Sequence, residues 1–505
     1  MELTTNKLAV FELGVNDASM TIYKYTSNGF FTIEQQIVEP VKLTQDMERD
    51  GYIKPARIQE TIAILKNFRK IIDADKIENT ICYTTPALAN ARNQIAFLDE
   101  IYKTVSLYFK VLTHEEQVNA LHSAIMYSFS MTRGIIMQVG DYSTELIKFN
   151  RRVVSNSISL PFGMVNLLEK DSKLTLAEQM DAVVEKLTKE FKKISWLYNI
   201  EDESEFIGVG EVFASLGKLS RKSSRYPLDV AHNYEITTES FQNVYNLIRG
   251  LDLDKAKKLK GISEKRADAI AMGLAVIKVA YNEFVRGGMK VSTNGERYGI
   301  VAKNLLSQTG EKPLLDILGY SLSAINEFYP TNINIDSNYS LAVILYKQLK
   351  VLHKLTRPYV KVLRIAASMC MAGKRISFED YTKNNFPVIL HSNIYGATHK
   401  DIVLAAFVAS SQNIDDFSLT EWVRYKDIVT EDDLDAVKKL AIIIKMATML
   451  NITNSNTVKD IACDVLGDTV ILKTEVEKDA TLEIGQAMSV AGDFKKVYGK
   501  NLQIL

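Results

Sequence analysis

The chain has 505 residues, too many for one hydrophobic core, so the sequence predicts about three or four domains. Its hydrophobic content of 47%, charged content of 24% and formal net charge of zero are those of a soluble globular protein and argue against a generic binder of nucleic acid or of anionic membranes. Three scattered cysteines (Cys82, Cys370, Cys463) without CxxC spacing argue against a disulfide framework or zinc site; with acids breaking the first apolar stretch and no run near the roughly 18 apolar residues of a membrane span, they point to a cytoplasmic protein.

In chain order, residues 7–25 read KLAVFELGVNDASMTIYKY: an apolar strand carrying one acid (Glu12), then Gly14, short polar residues and a second strand. Residues 134–150, GIIMQVGDYSTELIKFN, repeat this pattern about 126 residues later, with Gln138 and Gly140 in the matching places. This weak duplication predicts two similar α/β halves facing each other across a cleft, a common place for a ligand. Between the two loops, residues 56–71 put Ile58, Ile62, Leu65 and Phe68 on one face of a helix. Residues 78–85 read as a short strand that turns at Pro86, and 109–129 as a strand followed by a helix from about Thr113. Thr113 followed three residues later by Glu116 is a capping-box pattern.

Helices at about 175–195 and 262–286 should follow, with a strand and turn at 205–217 between them and another at 287–300 closing the second half. From about residue 301 the texture becomes one of long amphipathic helices, such as 338–355 and 432–450, and the last stretch reads as strands followed by one helix. The expected domains are a first half at 1–125, a second at 126–300, a helical domain at 301–457 and a small α/β tail at 458–505.

These stretches, taken in order, resemble the exopolyphosphatase / guanosine pentaphosphate phosphatase (Ppx/GppA) family of the actin-like ATPase superfamily. AVFELGVNDASMTIY resembles the first phosphate loop, TTPALANARNQIAFL (84–98) the Thr-Ser-Ala-Leu-Arg segment, and VLTHEEQVNAL (111–121) the Gly-x-Glu-Glu-Ala segment that carries a catalytic glutamate. IIMQVGDYSTEL resembles the Asp-x-Gly-Gly-Gly-Ser-Thr-Glu loop, and SLPFGMVNL (159–167) the strand after it. ISEKRADAIAMGLAVI (262–277) and VSTNGERYGI (291–300) resemble the end of the second domain, the helical region an HD-like domain, and AGDFKKVYGKNL (491–502) the tail.

The resemblance implies an α/β fold of duplicated actin-like (ribonuclease H-like) halves, an HD-like helical domain and an α/β tail. It implies a hydrolase that releases the terminal phosphate of polyphosphate or guanosine pentaphosphate with Mg2+ or Mn2+, most often as a homodimer. Glu116 would be the catalytic glutamate, with Glu12, Glu145 and, at the place of a family aspartate, Gln138 as its partners in catalysis; Glu12 and Glu145 would hold the metal, joined by Asp141 where it takes over the role lost at Gln138. Gly14, Asn16, Gly140, Ser143, Thr144, Gly208, Gly210 and Arg297 would approach phosphate oxygens.

Several residues depart from the family pattern. Gln138 replaces an aspartate, and an amide is a poor Mg2+ ligand beside a carboxylate. Glu12 replaces another aspartate but keeps its charge. Ala89 stands in place of a phosphate-clamping arginine, with Arg92 a misplaced substitute. Asp17, Asp141 and Glu211 add carboxylates to loops that are small or glycine in the family. Each would cost on the order of 4 kcal/mol if held about 4 Å from a phosphate oxygen at an effective dielectric near 20. In the helical region Cys370 and Met371 occupy the place of a metal-binding His-Asp pair, and His391 and His399 form no cluster, so an HD-type metal centre is not expected. Basic runs at 218–225 and 254–266 read as solvated surface, with a polyanion channel as the alternative. Two functions remain open: a metal-dependent exopolyphosphatase or alarmone phosphatase with a degraded site, in which Asp141 compensates for Gln138, or a catalytically impaired member that binds a phosphorylated ligand or a partner protein. A kinase of the same superfamily fits less well, because GVGEV (208–212) lacks paired glycines.

Overall fold

β1 (Asn6–Leu13) buries Leu8, Ala9, Val10, Phe11 and Leu13, so side chains on both of its faces are covered. It pairs antiparallel with β2 (Asp17–Tyr25), which pairs antiparallel with β3 (Phe31–Pro40). On its other side β4 (Thr80–Thr84) and β5 (Lys110–Val111) add in parallel, giving the order β3-β2-β1-β4-β5. The computed structural model describes residues 6–43, 50–169, 173–201, 203–308, 314–330, 334–411, 415 and 417–505.

Ala9, Phe11 and Leu13 pack against α1 (Pro55–Ala74) and α2 (Gln94–Val105). The stripe expected on α1 is the one that buries Ile62, Leu65 and Phe68, with Ile58 at its margin. Each such side chain contributes about 1.5–3 kcal/mol on burial.

The second sheet repeats the first. β6 (Arg133–Val139), β7 (Thr144–Asn150) and β8 (Val153–Leu160) are antiparallel. β9 (Glu205–Val209) lies parallel to β6, and β10 (Glu235–Thr237) and β11 (Gly288–Ser292) complete the order β10-β11-β9-β6-β7-β8. The likeness reaches fine detail: the second strand of each sheet slips register against the third, at Ile22/Tyr23 and at Lys148/Phe149, the same 126 residues apart as Gly14 and Gly140.

Two helices exchange places between the halves. α3 (His114–Met126) precedes the second sheet in the chain, yet Val118, Leu121 and Ile125 pack on Ile136, Ile147 and Ile207 of that sheet. α4 (Leu176–Phe191), α5 (Glu211–Ser223), α6 (Thr238–Arg249), α7 (Leu253–Lys257) and α8 (Ala267–Glu283) follow. α9 (Glu296–Gln308) comes after the second sheet, yet Val301 and Leu305 pack on Leu8, Val10, Tyr23 and Tyr83 of the first. α9 therefore runs across residue 300, where the sequence reading closes the second half.

Local differences have local causes. The expected turn after residue 209 is the start of α5: Gly210, at φ +100°, ends β9 and serves as N-cap. The expected strand through 159–167 stops at Leu160, because Pro161 and Gly163 turn the chain and Thr144 Oγ1 donates to Phe162 O at 2.6 Å. The helix expected from 262 begins only at Ala267, after a single 3-10 turn.

The chain forms two compact units, residues 1–224 with 231–315, and residues 225–230 with 316–505. The second unit holds α10 (Ile317–Phe328), α11 (Ile335–Gln348), α12 (Lys350–His353), α13 (Val360–Met369), α14 (Tyr381–His391), α15 (His399–Ser410), α16 (Leu419–Arg424) and α17 (Glu431–Leu450). After these come β12 (Val458–Leu466), β13 (Thr469–Val476), α18 (Thr481–Met488), α19 (Ala491–Tyr498) and β14 (Asn501–Ile504). The tail thus has two helices where one is expected. Its Ile461, Leu472 and Phe494 share one core with Leu363, Val403 and Ile443 of the helices. Cys370 is fully buried beside Asn338 and Thr448, a packed polar contact in the place of a metal pair. Buried Asp433 caps α17 and is neutralised by Lys400 at 2.6 Å.

Where α9 crosses α3, Gly299 lies so close to the Ala120 carbonyl oxygen that an added Cβ would collide with it. Gly299→Ala is expected to destabilise the protein by about 1–3 kcal/mol in urea unfolding. Gly485→Ala, in α18 with nothing within 4 Å of the new Cβ, should be neutral or stabilise by up to about 1 kcal/mol.

Candidate active site

The hairpin loops after β1 and β6 close with the same bond. Gly14 N–H donates to Asp17 O and Gly140 N–H to Ser143 O, each at 2.9 Å. A Cβ at either glycine would stand 3.2 Å from that same carbonyl oxygen, a tight contact that the small residue avoids in both turns. The two loops face one cleft of about 860 Å³. Gly14, Asn16 and Glu12 line it from the first half, and Gln138, Gly140, Asp141, Ser143, Glu145 and Gly210 from the second. Arg297, in the first turn of α9, lines it too, donating to Ser19 Oγ at 3.0 Å and lying 3.5 Å from Glu12 Oε2. The N-terminal turns of α3, α5 and α9 all contribute residues to its wall, so three positive helix ends border the space.

Three expected residues do not line this cleft. Glu116 closes the capping box of α3: Thr113 N–H donates to Glu116 Oε2 at 3.0 Å, and Glu116 N–H to Thr113 Oγ1 at 3.2 Å. It also pairs with Lys110, which together with the Thr113 amide holds its carboxyl below the usual range. The face of α3 turned to the cleft carries His114 and Gln117, three residues apart, and Glu116 lies off it. Thr144 is fully buried and fixes the turn at Phe162. Gly208 is needed for packing, since a Cβ there would run into the Phe213 ring. Arg92, the proposed substitute clamp, sits over the Tyr52 ring, away from the cleft.

The added acids are partly neutralised. Arg266, from the second basic run, donates to Asp141 and, through Nε at 2.8 Å, to Glu211. Asp141 also accepts from Asn16 Nδ2, which joins the loop of one half to the loop of the other. Asp17 keeps a raised carboxyl, first through loss of water and then through the charge of Asp141. Burial likewise raises Glu12, against the pull of Arg297, and Glu145, which accepts from Ser159 Oγ at 2.7 Å and lies 3.4 Å from His114 Nδ1.

The sequence reading passed over Glu296 and Gln117. Glu296 lines the floor of the cleft and is almost fully buried. Its Oε1 accepts from Gln117 Nε2 at 2.7 Å and from Gln138 Nε2 at 3.3 Å. Burial pushes this carboxyl up to about 7, with the nearby charges of Glu12 and Glu145 adding to the effect and the two amides opposing it. The available signal was an acid beside Arg297 in NGERYG, in a stretch read as a turn; as the start of a helix it points inward.

The expected metal ligands are not gathered into one set. Glu12 is turned to Arg297, Asp141 to Asn16 and Arg266, and Glu145 to Ser159 and His114. Among the described residues no group of three or more His, Cys, Asp or Glu is arranged to hold a metal ion. The donors present do not fit a resident divalent cation.

The sequence model of the Ppx/GppA phosphatase family matches residues 21–308. The bifunctional 3-dehydroquinate synthase/phosphatase of Fusobacterium nucleatum is 24% identical over 59% of this chain, which spans 46% of that longer protein. A putative exopolyphosphatase of Haemophilus influenzae is 18% identical over 58% of this chain and 90% of its own length. The crystal structure of the Aquifex aeolicus member of the Ppx/GppA family superposes with a TM-score of 0.54 at 24% identity, over 60% of this chain and 99% of that one, which shows a shared fold. With the family model covering more than half of its length, on a duplicated actin-like fold, the chain belongs to the Ppx/GppA phosphatase family.

Proposed function

We propose that the chain is an exopolyphosphatase-type phosphohydrolase that releases terminal orthophosphate from inorganic polyphosphate or guanosine pentaphosphate, working from a degraded site. The observation that carries this reading is the pair of matched glycine turns, at Gly14 and Gly140, facing one cleft beside Arg297. Phosphoryl transfer asks the protein chiefly to hold phosphate oxygens, balance their charge and align a water. The loop amides, the three helix ends and Arg297 meet the first two needs. The cleft is also open enough for a chain of phosphates whose far end stays in solvent.

A second reading, a regulatory member that binds a phosphoryl ligand or a partner without hydrolysing the ligand, is favoured by one contact. Asp141 holds Asn16 and Arg266 where an incoming phosphate would need them, so its carboxylate competes with the ligand for the same donors. In both readings the resemblance carries a homodimer, and the three scattered cysteines, none in a disulfide, suit a reducing, cytoplasmic setting. Among the described residues no helix is long and apolar enough to cross a membrane.

Orthophosphate release from long-chain polyphosphate, with Mg2+, with Mn2+ and with neither, decides between the readings when polyphosphate binding is measured alongside. Hydrolysis predicts release that follows enzyme concentration; binding without release over hours at high protein concentration would select the regulatory reading. Arg297→Ala should weaken polyphosphate binding at least tenfold in either case, since it removes a charge-assisted contact worth about 1.5–3 kcal/mol. Asp141→Asn should tighten binding by a similar factor; if it abolishes binding instead, Asp141 serves the ligand through a cation.

A further inference from the structure

One family carboxylate, at Gln138, has become an amide by resemblance, yet a carboxylate enters the cleft from another helix. The helix face that meets the cleft offers Gln117, and β6 offers Gln138. Both amides donate to one oxygen of Glu296, which projects from α9. They fix that carboxylate between them and leave its other oxygen, Oε2, buried with no hydrogen-bond partner among the described residues. Gln138 Oε1 is likewise buried and unpartnered among the described residues. Glu296 is thus a carboxylate in the cleft lining with one oxygen fixed by two amides and the other left without a donor.

Resting on the hydrolase reading above, we propose that Glu296 is the general base of the reaction, taking from α9 the proton-accepting role that α3 no longer supplies. A water in the cleft donates a hydrogen bond to the Glu296 carboxylate, which turns a lone pair towards the terminal phosphorus. The water oxygen forms a bond to that phosphorus while the bond from phosphorus to the bridging oxygen breaks. The bridging oxygen keeps the electron pair and leaves with the shortened phosphate chain. The water proton passes to the Glu296 carboxylate and then to solvent, so the products are orthophosphate, the shortened chain and that proton. No oxidant, reductant or further reactant is needed.

The bland alternative is that Glu296 is an acid in a first helical turn, stabilising the positive end of α9. An almost fully buried carboxylate held by two amides and raised by burial is a costly way to do that, because an exposed acid at the same turn would serve. The charged and titratable groups around it are Glu12 on β1, Tyr83 on β4, Glu145 on β7 with His114 of α3 beside it, and Arg297 next in the chain. Glu12 and Glu145 both favour the protonated form. Ionised Glu296 accepts a proton and protonated Glu296 cannot, so the rate should rise with pH through about 7 and level off above it.

The test is orthophosphate release from long-chain polyphosphate across pH 5.5–9, with polyphosphate binding measured separately. Glu296→Gln, which keeps size and hydrogen-bonding shape, should lower kcat at least 100-fold, leave polyphosphate affinity within threefold and remove the acid limb near pH 7. Glu296→Asp should retain the limb with a lower plateau. Gln117→Glu in the Glu296→Gln background returns a carboxylate to the same place from α3 and should recover at least tenfold of the lost rate. A Glu296→Gln protein with kcat within threefold of wild type and an unchanged pH profile would overturn the proposal while leaving the hydrolase reading intact. A wild type that binds polyphosphate but releases no orthophosphate at any of these pH values would overturn both.

Discussion

Six carboxylates and one guanidinium line a single cleft, and a second guanidinium reaches two of those acids from behind. That charge imbalance constrains everything else in the molecule's working end. Arg266 must serve Asp141 and Glu211 together, Arg297 must answer Glu12, and the carboxyls left over are pushed towards their protonated forms by burial. A phosphate chain arriving there is another anion in crowded company. It gains the loop amides and helix ends only to the extent that protons or cations cover the acids. The net charge of the whole chain, zero, conceals this, because the balance that matters is local.

Much of the fold was legible because it rests on repeats and periods. The duplicated strand–glycine–strand pattern predicted two like halves, and the matching turns and slipped registers show how close the copies are. The apolar stripe of α1 and the cap of α3 stood in plain view. The site was less legible, for geometric reasons. One position along a helix turns a side chain by about 100°, so choosing Glu116 over Gln117 moves the proposed chemistry from the cleft to solvent. Glu296 was hidden by a wrong local expectation: within a turn an acid is ordinary, whereas in the first turn of α9 it is driven inward. Arg266 lay within a basic run that composition treats as uniform, and only packing shows which of its members faces the acids.

The exchange of helices between the halves explains why a linear division of the chain misleads. α3 is encoded with the first sheet but packs on the second, and α9 does the reverse. The segment most concerned with chemistry therefore straddles the boundary that sequence texture suggests. In the other unit the strands of the tail and the helices before them share a core, so the change from helical to alternating pattern marks a change of secondary structure within one packed body.

The contact of Gly299 with the Ala120 carbonyl has a mechanical consequence. Two helices that meet backbone to backbone have no room to slide or roll, since any shift brings main chain against main chain. The spacing between Gln117 on one and Glu296 on the other is then set by the scaffold, and only rotation about side-chain bonds remains free to adjust it. Cleft motions that separate the sheets would leave this one distance nearly constant, as the axle of a hinge stays fixed while its leaves swing.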